Sequence, residues 1–170
     1  MIKDMKGLAE RVVGQLHNRG VDYGDARVEN TDLENLTFRK QRLAEAELQE
    51  GRGVGVRVLF KGCWGFASCS CFDSDVVEST VDRAVEIAKA GAGVMAGSVS
   101  LSQETPAIGH YEGPCQRNPF EIPRSEKLDL LARAADIMHT SPLINMSLSR
   151  LRFERRRRAF SNTEGGFYNA

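Results

Sequence analysis

The stretch Gly53–Ala67, GVGVRVLFKGCWGFA, carries the strongest structural signal in the chain. Apolar residues alternate along its first half and so line one face of a strand. These residues are Val54, Val56, Val58 and Phe60. Lys61-Gly62 stands where a tight turn belongs, and Trp64 and Phe66 lie on the return segment. The pattern predicts a β-hairpin.

Three glycines in this hairpin, Gly53, Gly55 and Gly65, have no side chain to pack. Glycine weakens a strand, and its presence often marks a bulge or the close approach of another backbone. We therefore expect something to pack closely on the hairpin. Two interpretations remain open at this point: another element of the same domain, or a ligand.

The region before the hairpin predicts one helix followed by strands. Residues 3–18 have apolar side chains at helical spacing, and Gly20 follows as a stop. The period then changes to two in three short segments. These strand candidates are centred on Ala26–Val28, Leu36–Phe38 and Ala44–Leu48, with turns at Asn30–Asp32 and Arg39–Gln41.

The region after the hairpin predicts two more helices and further strands. A helix over residues 74–90 begins with Asp75 and Glu78 placed as a capping box, and Ser125 caps a helix over 126–139. Residues 91–124 predict an irregular connector that wraps across the surface. The remaining segments are strands at 143–153 and 156–162, a turn at 163–166 and a strand starting at Phe167. Together these elements predict one α+β domain over residues 1–170, with a largely antiparallel sheet and about three helices.

Composition excludes several classes of function. The 170 residues contain 23 Lys plus Arg and 23 Asp plus Glu, so the chain has no overall basic surface for nucleic acid. No apolar run approaches the ~20 residues of a membrane span. The N-terminal residues alternate apolar and charged types, unlike a signal peptide, so we expect a cytoplasmic protein.

Metal and nucleophilic chemistry has little support in the sequence. The cysteines are predicted to be free thiols, because Cys69-Ser-Cys71 lacks the spacing of paired zinc ligands. His17, His110 and His139 are scattered over different elements. The segment Gly91–Ala96 matches a dinucleotide-binding pattern, but it follows a helix instead of a strand. We therefore predict no catalytic residue and no metal ligand.

Six arginines lie within the nine residues Arg150–Arg158, opposed only by Glu154. Such a run could bind nucleic acid or an acidic partner. In a strand, however, alternate arginines point to opposite faces, which favours a solvated hairpin or a face that meets an acidic partner surface. A salt titration of DNA binding separates these alternatives.

The hairpin GVGVRVLFKGCWGFAS closely resembles the N-terminal domain of the TldD/PmbA family, which has a GVGVRV strand, a glycine turn and a WGFAS return. Four flanking segments, in the family's order, are similar to it as well. They are DYGDARVE at 22–29, VVESTVDRAVEIAKAG at 76–91, RNPFEIPRSEKLDLL at 117–131 and FSNTEGG at 160–166. The resemblance covers nearly the whole chain.

This resemblance implies a role in a zinc metallopeptidase that processes or degrades peptides. In that family an HExxxH helix binds the zinc in a later region, and the PmbA (TldE) branch lacks those ligands. The sequence contains no His-Glu pair, so no zinc ligand can be assigned and the chain alone is expected to be inactive. We expect it to be cut before a metal-binding C-terminal domain, because Phe167–Ala170 opens a new strand.

The resemblance also implies that this domain helps to build the substrate chamber and the contact of a homodimer or heterodimer. We expect the hairpin to pair with an extended peptide substrate, or to lie at an interface. The residues predicted to make this contact are Gly53, Gly55, Arg57, Trp64, Gly65 and Phe66. The alternatives are a non-catalytic PmbA/TldE-like subunit and a binding domain that uses Arg150–Arg158.

Overall fold

A computed structural model of the chain describes residues 5–94, 97, 99–102 and 104–170. The described residues form three α-helices and a sheet of six strands, which confirms the predicted α+β class. The helices are α1 (Met5–Asn18), α2 (Ser74–Ala92) and α3 (Arg124–Met138). The strands are β1 (Tyr23–Arg39), β2 (Arg42–Phe60), β3 (Cys63–Cys69), β4 (Ile108–His110), β5 (Leu148–Asn162) and β6 (Phe167–Asn169). Their order in the sheet is β3-β2-β1-β5-β6-β4.

The chain divides into two compact units. The first unit consists of Met1–Asn30, Gly51–Gly113 and Arg156–Ala170. The second unit consists of Thr31–Glu50 and Pro114–Arg155. Among the described helices, none is long and apolar enough to cross a membrane.

In the first unit, α1 and α2 pack on one face of the sheet. Helix α1 confirms the predicted helix from residue 5 onward, and residues 3 and 4 lie outside the described part of the chain. Alternate valines of β2 point into this core, as the period of two predicted. The fully buried side chains include Val12 and Leu16 of α1, Val54, Val56 and Val58 of β2, and Val81 of α2.

The predicted hairpin is present. Strands β2 and β3 pair antiparallel, with Phe60 opposite Cys63 and a two-residue turn between them. Lys61 and Gly62 have φ angles of 48° and 78°, the left-handed conformation that a type I′ turn requires at both positions. This turn matches the twist of the flanking strands and fixes the register of the pair.

The predicted turn at Asn30–Asp32 is wrong, because β1 runs through it without a break. The polar side chains that suggested a turn are buried in the strand and have partners across the sheet. Arg157 donates to Asn30 Oδ1 at 2.9 Å, and Arg155 donates to Asp32 Oδ2 at 2.8 Å. These partners satisfy groups that would otherwise need solvent at a turn.

Other boundaries also differ from the prediction. Strand β2 joins the segments predicted separately around Ala44–Leu48 and from Gly53. Strand β5 joins those predicted at 143–153 and 156–162 but begins only at Leu148, so residues 143–147 are not a strand. The connector predicted to be irregular over residues 91–124 contains β4 and a short 3₁₀ helix, Pro119–Glu121. The prolines of this segment had indicated no regular structure. The turn at 163–166 and the strand from Phe167 are confirmed.

The helix caps differ as well. Helix α2 is capped by Asp73, whose carboxylate accepts from the backbone N–H groups of Asp75 and Val76. The predicted capping box of Asp75 and Glu78 is therefore wrong by two residues. Helix α3 starts at Arg124 without a side-chain cap, so Ser125 lies inside the helix.

In the second unit, α3 packs on β1 through a small core that contains Leu36, Phe38, Leu131 and Ala135. Glu34 is buried beside this core and is 4% exposed. Lys127 Nζ lies 2.5 Å from one of its carboxylate oxygens and Arg124 Nε 3.3 Å from the other. The buried charge is thus paired, as burial of a carboxylate requires.

Candidate functional site

The two faces of the β2–β3 hairpin differ in their surroundings. Val54, Val56 and Val58 face α1 and α2 in the core. Because side chains alternate along a strand, the residues between them point to the opposite face, which we call the outer face. Five of the six predicted contact residues lie on the outer face; they are Gly53, Gly55, Arg57, Trp64 and Phe66.

Gly65, the sixth predicted contact residue, lies on the helix side, opposite Val58. A Cβ atom at this position would lie 2.1 Å from the carbonyl oxygen of Ala84 and 2.6 Å from the backbone nitrogen of Ala88. Both atoms belong to α2. The close approach that this glycine predicted is therefore made by another element of the domain.

The two outer glycines have different neighbours. A Cβ at Gly55 would lie 3.4 Å from the ring of Phe66, which is ordinary van der Waals contact. A Cβ at Gly53 would lie 2.9 Å from the carbonyl oxygen of Cys69. Because neither glycine has a side chain, the outer face of β2 has little side-chain volume next to Phe66, which is 59% exposed.

Next to these glycines, Arg57 forms a cluster with residues that the sequence did not single out. Its Nη2 and Nε atoms lie 2.6 and 2.7 Å from Asp25 Oδ2, and Asp25 is only 1% exposed. The guanidinium also lies over the ring of Trp64, with 4.7 Å between its Cζ and the ring centroid. Tyr23 meets the same indole edge-on, at 5.9 Å between centroids.

The ionisation of this cluster follows from its burial and pairing. Burial raises the pKa of Tyr23, and the negative charge of Asp25 raises it further. Burial alone would lower the pKa of Arg57, but the hydrogen bonds and charge of Asp25 outweigh that effect and hold it above its ordinary value. Arg57 and Asp25 therefore form an ion pair, and the neighbouring phenol of Tyr23 stays neutral at neutral pH.

A cleft of about 390 Å³ opens beside this cluster. Its floor is formed by sheet residues, namely Tyr23, Arg57, Trp64, Phe160 and Asn162. Its walls come from the connector at 101–102 and 104–107 and from the turn that holds Glu164 and Gly166. The connector is tied on both sides of the cleft: Val99 N–H donates to Gly62 O at 3.0 Å, and Phe167 N–H donates to Ala107 O at 2.9 Å.

Strand β3 is an edge of the sheet. In a two-residue hairpin, the residues that flank the turn exchange both backbone hydrogen bonds, so every second residue of β3 bonds to β2. These residues are Cys63, Gly65, Ala67 and Cys69. The backbone groups of Trp64, Phe66 and Ser68 consequently point outward from the edge.

The arginine run pairs with β1 across the sheet. Arg155 binds Asp32, and Arg158 Nε lies 2.6 Å from a carboxylate oxygen of Glu29. The neighbouring Arg156 lies 3.7 Å from the same glutamate. For these three arginines the acidic groups belong to the neighbouring strand of the same chain and not to a partner.

Metal-binding and nucleophilic groups are dispersed. All four cysteines are free thiols. Within residues 5–94, 97, 99–102 and 104–170, no three His, Cys, Asp or Glu side chains are grouped so that they could hold a metal ion. Two of the histidines bind neighbours: His110 contacts Asn169 at 3.0 Å, and His139 contacts Ser147 at 2.9 Å.

Comparisons with known proteins agree with this architecture. Residues 24–88 match the family described as PmbA/TldA metallopeptidase domain 1. A metalloprotease of Methanocaldococcus jannaschii is 24% identical over 128 residues, and one of Methanothermobacter thermautotrophicus is 25% identical over 145. These alignments cover 75% and 85% of this chain, but only 28% and 30% of the relatives.

Solved structures share the fold. A protein named as a modulator of DNA gyrase from Bacteroides thetaiotaomicron gives a TM-score of 0.79 at 12% identity, covering 100% of this chain and 39% of that one. TldE from Thermococcus kodakarensis gives 0.72 at 12% identity, covering 94% and 36%. At such identities the likeness concerns the fold alone.

The family match makes residues 24–88 similar to the first domain of a metallopeptidase. More particularly, this match confirms the resemblance to the TldD/PmbA family seen in the hairpin motif. The chain spans less than a third of the length of the curated relatives it matches.

Proposed function

We propose that residues 1–170 are the N-terminal part of a TldD/PmbA-type zinc metallopeptidase that processes or degrades peptides. The observation that carries this proposal is the family match over residues 24–88, on the segment that builds the hairpin. Two relatives named as metalloproteases support it. In this proposal the zinc and its HExxxH ligands belong to a later part of a cytoplasmic protein, and this domain helps to form the substrate chamber and the contact of a homodimer or heterodimer.

Within that protein, strand β3 would receive the peptide. An extended peptide can add to an exposed sheet edge, where backbone hydrogen bonds supply affinity with little dependence on sequence. The outward N–H and C=O groups of Trp64, Phe66 and Ser68 are spaced as such a strand requires. This supports the predicted contact role of Trp64 and Phe66.

The outer face would then hold the side chains of the peptide. Every second side chain of an added strand points to this face. There the exposed ring of Phe66 and the low surface over Gly53 and Gly55 offer apolar contact. Arg57 lies at the end of this surface that is nearer to the turn. Gly65 lies on the opposite face, where its lack of a side chain allows α2 to pack against β3.

Hydrogen exchange tests the edge-pairing step. On addition of oxidised insulin B chain, an extended peptide probe, the amides of Trp64, Phe66 and Ser68 should exchange more slowly. The amides of Gly65 and Ala67 should not change, because they already bond to β2. Ser68→Pro removes one outward donor and should abolish the effect, whereas the matched variant Ser68→Ala should retain it. Protection that is absent from β3 would rule out this pairing.

The reading frame beyond codon 170 tests the assignment to a metallopeptidase. An in-frame HExxxH, and cleavage of the insulin B chain by the complete gene product that a chelator abolishes, would support the zinc peptidase. A long continuation without that motif would support the alternative of a non-catalytic PmbA/TldE-like subunit. Salt-sensitive DNA binding that is lost on Arg155–Arg158→Ala would instead support the arginine run as a binding surface.

A further inference from the structure

The cleft on the outer face has the chemistry of a receptor for a positive charge. We propose that it binds an aliphatic ammonium group, of the kind carried by a lysine side chain or a free alkylamine. The inference concerns the cleft alone and holds whether or not the chain is part of a peptidase.

Among the residues that line the cleft, those with a charge and no salt bridge are acidic. Glu104 and Glu164 line it, both are exposed, and neither makes a salt bridge within the described part of the chain. The basic lining residue is Arg57, which is paired with the buried carboxylate of Asp25 at 2.6 Å. Arg27 does not line the cleft, but it lies 3.7 Å from the other oxygen of Asp25 and over the ring of Phe160. An incoming ammonium group would therefore meet two carboxylates and no uncompensated cation of the lining.

An anionic ligand fits less well. Arg57 already directs Nε and Nη2 at Asp25, so it cannot present its two-pronged face to a second carboxylate without losing that pair. Among the described residues, the buried Asp25 would then keep only the more distant Arg27, 3.7 Å away, as an ion-pair partner, and this loss would cost free energy. The carboxylates of Glu104 and Glu164 would in addition repel an anion.

The walls suit an aliphatic stem. Tyr23, Trp64 and Phe160 contribute aromatic surface to the cleft. The methylene chain of an alkylamine can lie along such surface while its charged end stays near water and carboxylates. The volume of about 390 Å³ lies at the small end of ligand pockets, which run from about 300 to 1,000 Å³.

The segments that carry the two carboxylates are bonded to the sheet to different degrees. Glu104 lies between the tied residues Val99 and Ala107. Glu164 lies in a turn in which Asn162 Oδ1 accepts from the N–H of Gly166 at 2.6 Å, and Gly165 has a φ angle of 87°. The backbone that carries Glu164 is thus held in place, which lowers the entropic cost of binding there.

Fluorescence offers a direct test, because Trp64 is the only tryptophan of the chain and lines the cleft. The 170-residue protein would be titrated with N-acetyl-lysine methylamide and with the norleucine analogue, which lacks the ammonium group. We expect a saturable change in emission with the lysine compound and at least tenfold weaker binding of the norleucine compound. A third arm, 1,5-diaminopentane, distinguishes a free amine from a peptide side chain as the source of the ammonium group.

Substitution completes the test. Glu104→Gln with Glu164→Gln should weaken lysine binding at least tenfold and reduce its dependence on salt. The matched control, Glu86→Gln with Glu112→Gln, alters exposed glutamates that do not line the cleft and should leave the affinity unchanged. Equal binding of the norleucine compound, an unchanged affinity in the first variant, or no response to either amine would overturn the proposal.

Discussion

Replacement of Gly65 by alanine should separate β3 from the helix that covers it. The added Cβ would lie 2.1 Å from the carbonyl oxygen of Ala84, whereas ordinary van der Waals contact begins at 3.4 Å. Helix α2 would have to retreat by about 1.3 Å to restore that contact. The obstructing atoms are helix backbone, so no side chain can rotate out of the way.

The expected cost follows from overpacking of a core. Inserting a methylene or methyl group into a packed core usually costs about 1–3 kcal/mol, and the backbone position of the clash places Gly65→Ala at the upper end. The lower chain entropy of alanine offsets about 0.5–1 kcal/mol. We therefore expect the free energy of unfolding to fall by about 2 kcal/mol, and Tm by roughly 4–8 °C for a chain of this size.

Urea denaturation followed by circular dichroism and by Trp64 emission measures this loss. Gly51→Ala is the matched control in β2, because a Cβ there would meet nothing within 4 Å. Gly14→Ala should have the opposite effect, because a Cβ at this position in the interior of α1 would also meet nothing within 4 Å. We expect its free energy of unfolding to rise by about 0.5–1 kcal/mol. A Gly65→Ala protein within about 0.5 kcal/mol of the parent, a difference typical of neutral surface changes, would refute the packing argument.

Two further predictions concern the cluster around Arg57. Arg57→Met removes the closest ion-pair partner of the buried Asp25 and leaves Arg27, 3.7 Å away. We expect the free energy of unfolding to fall by about 2 kcal/mol, less than the about 3–5 kcal/mol of a fully buried pair, because Arg57 is 42% exposed and Arg27 remains. Asp25→Asn in the same background should recover part of that loss in a double-mutant cycle; additive losses would refute the pairing. Because the pKa of Tyr23 is raised, its contribution to stability is complete below the unfolded value of about 10 and is lost as pH rises through the folded value. The difference in tyrosinate absorbance between the parent and Tyr23→Phe should accordingly have its midpoint above pH 10, and a midpoint at or below 10 would contradict the effect of burial.

The sequence predicted the elements whose cause is local. The hairpin followed from alternation and from a turn dipeptide that accepts positive φ, as Lys61 and Gly62 do. The helices followed from apolar residues at helical spacing, although the caps were misplaced. For α2 the capping carboxylate comes from Asp73, two residues before the one predicted, and several acidic residues there compete for the role.

Features that depend on pairing between distant segments could not be predicted. The continuity of β1 through Asn30–Asp32 requires arginines that lie more than 120 residues away in sequence. Asp25 was overlooked as part of the site for the same reason: its spacing of two from Tyr23 places both on one face, but the partner, Arg57, depends on the register of β1 against β2. A local pattern shows which face a residue is on, but it does not show what the neighbouring strand places beside it.

The alternation of the hairpin divides its residues between the core and the outer face, where we propose that a peptide binds. The even positions of β2 build the core with valines, and Gly65 on β3 admits α2 to that same face. The odd positions, from Gly53 to Arg57, face outward and contribute almost nothing to that core. Substitutions on the two faces should therefore separate: those at Gly65 change stability, whereas those at Gly55 or Phe66 change binding with little effect on unfolding.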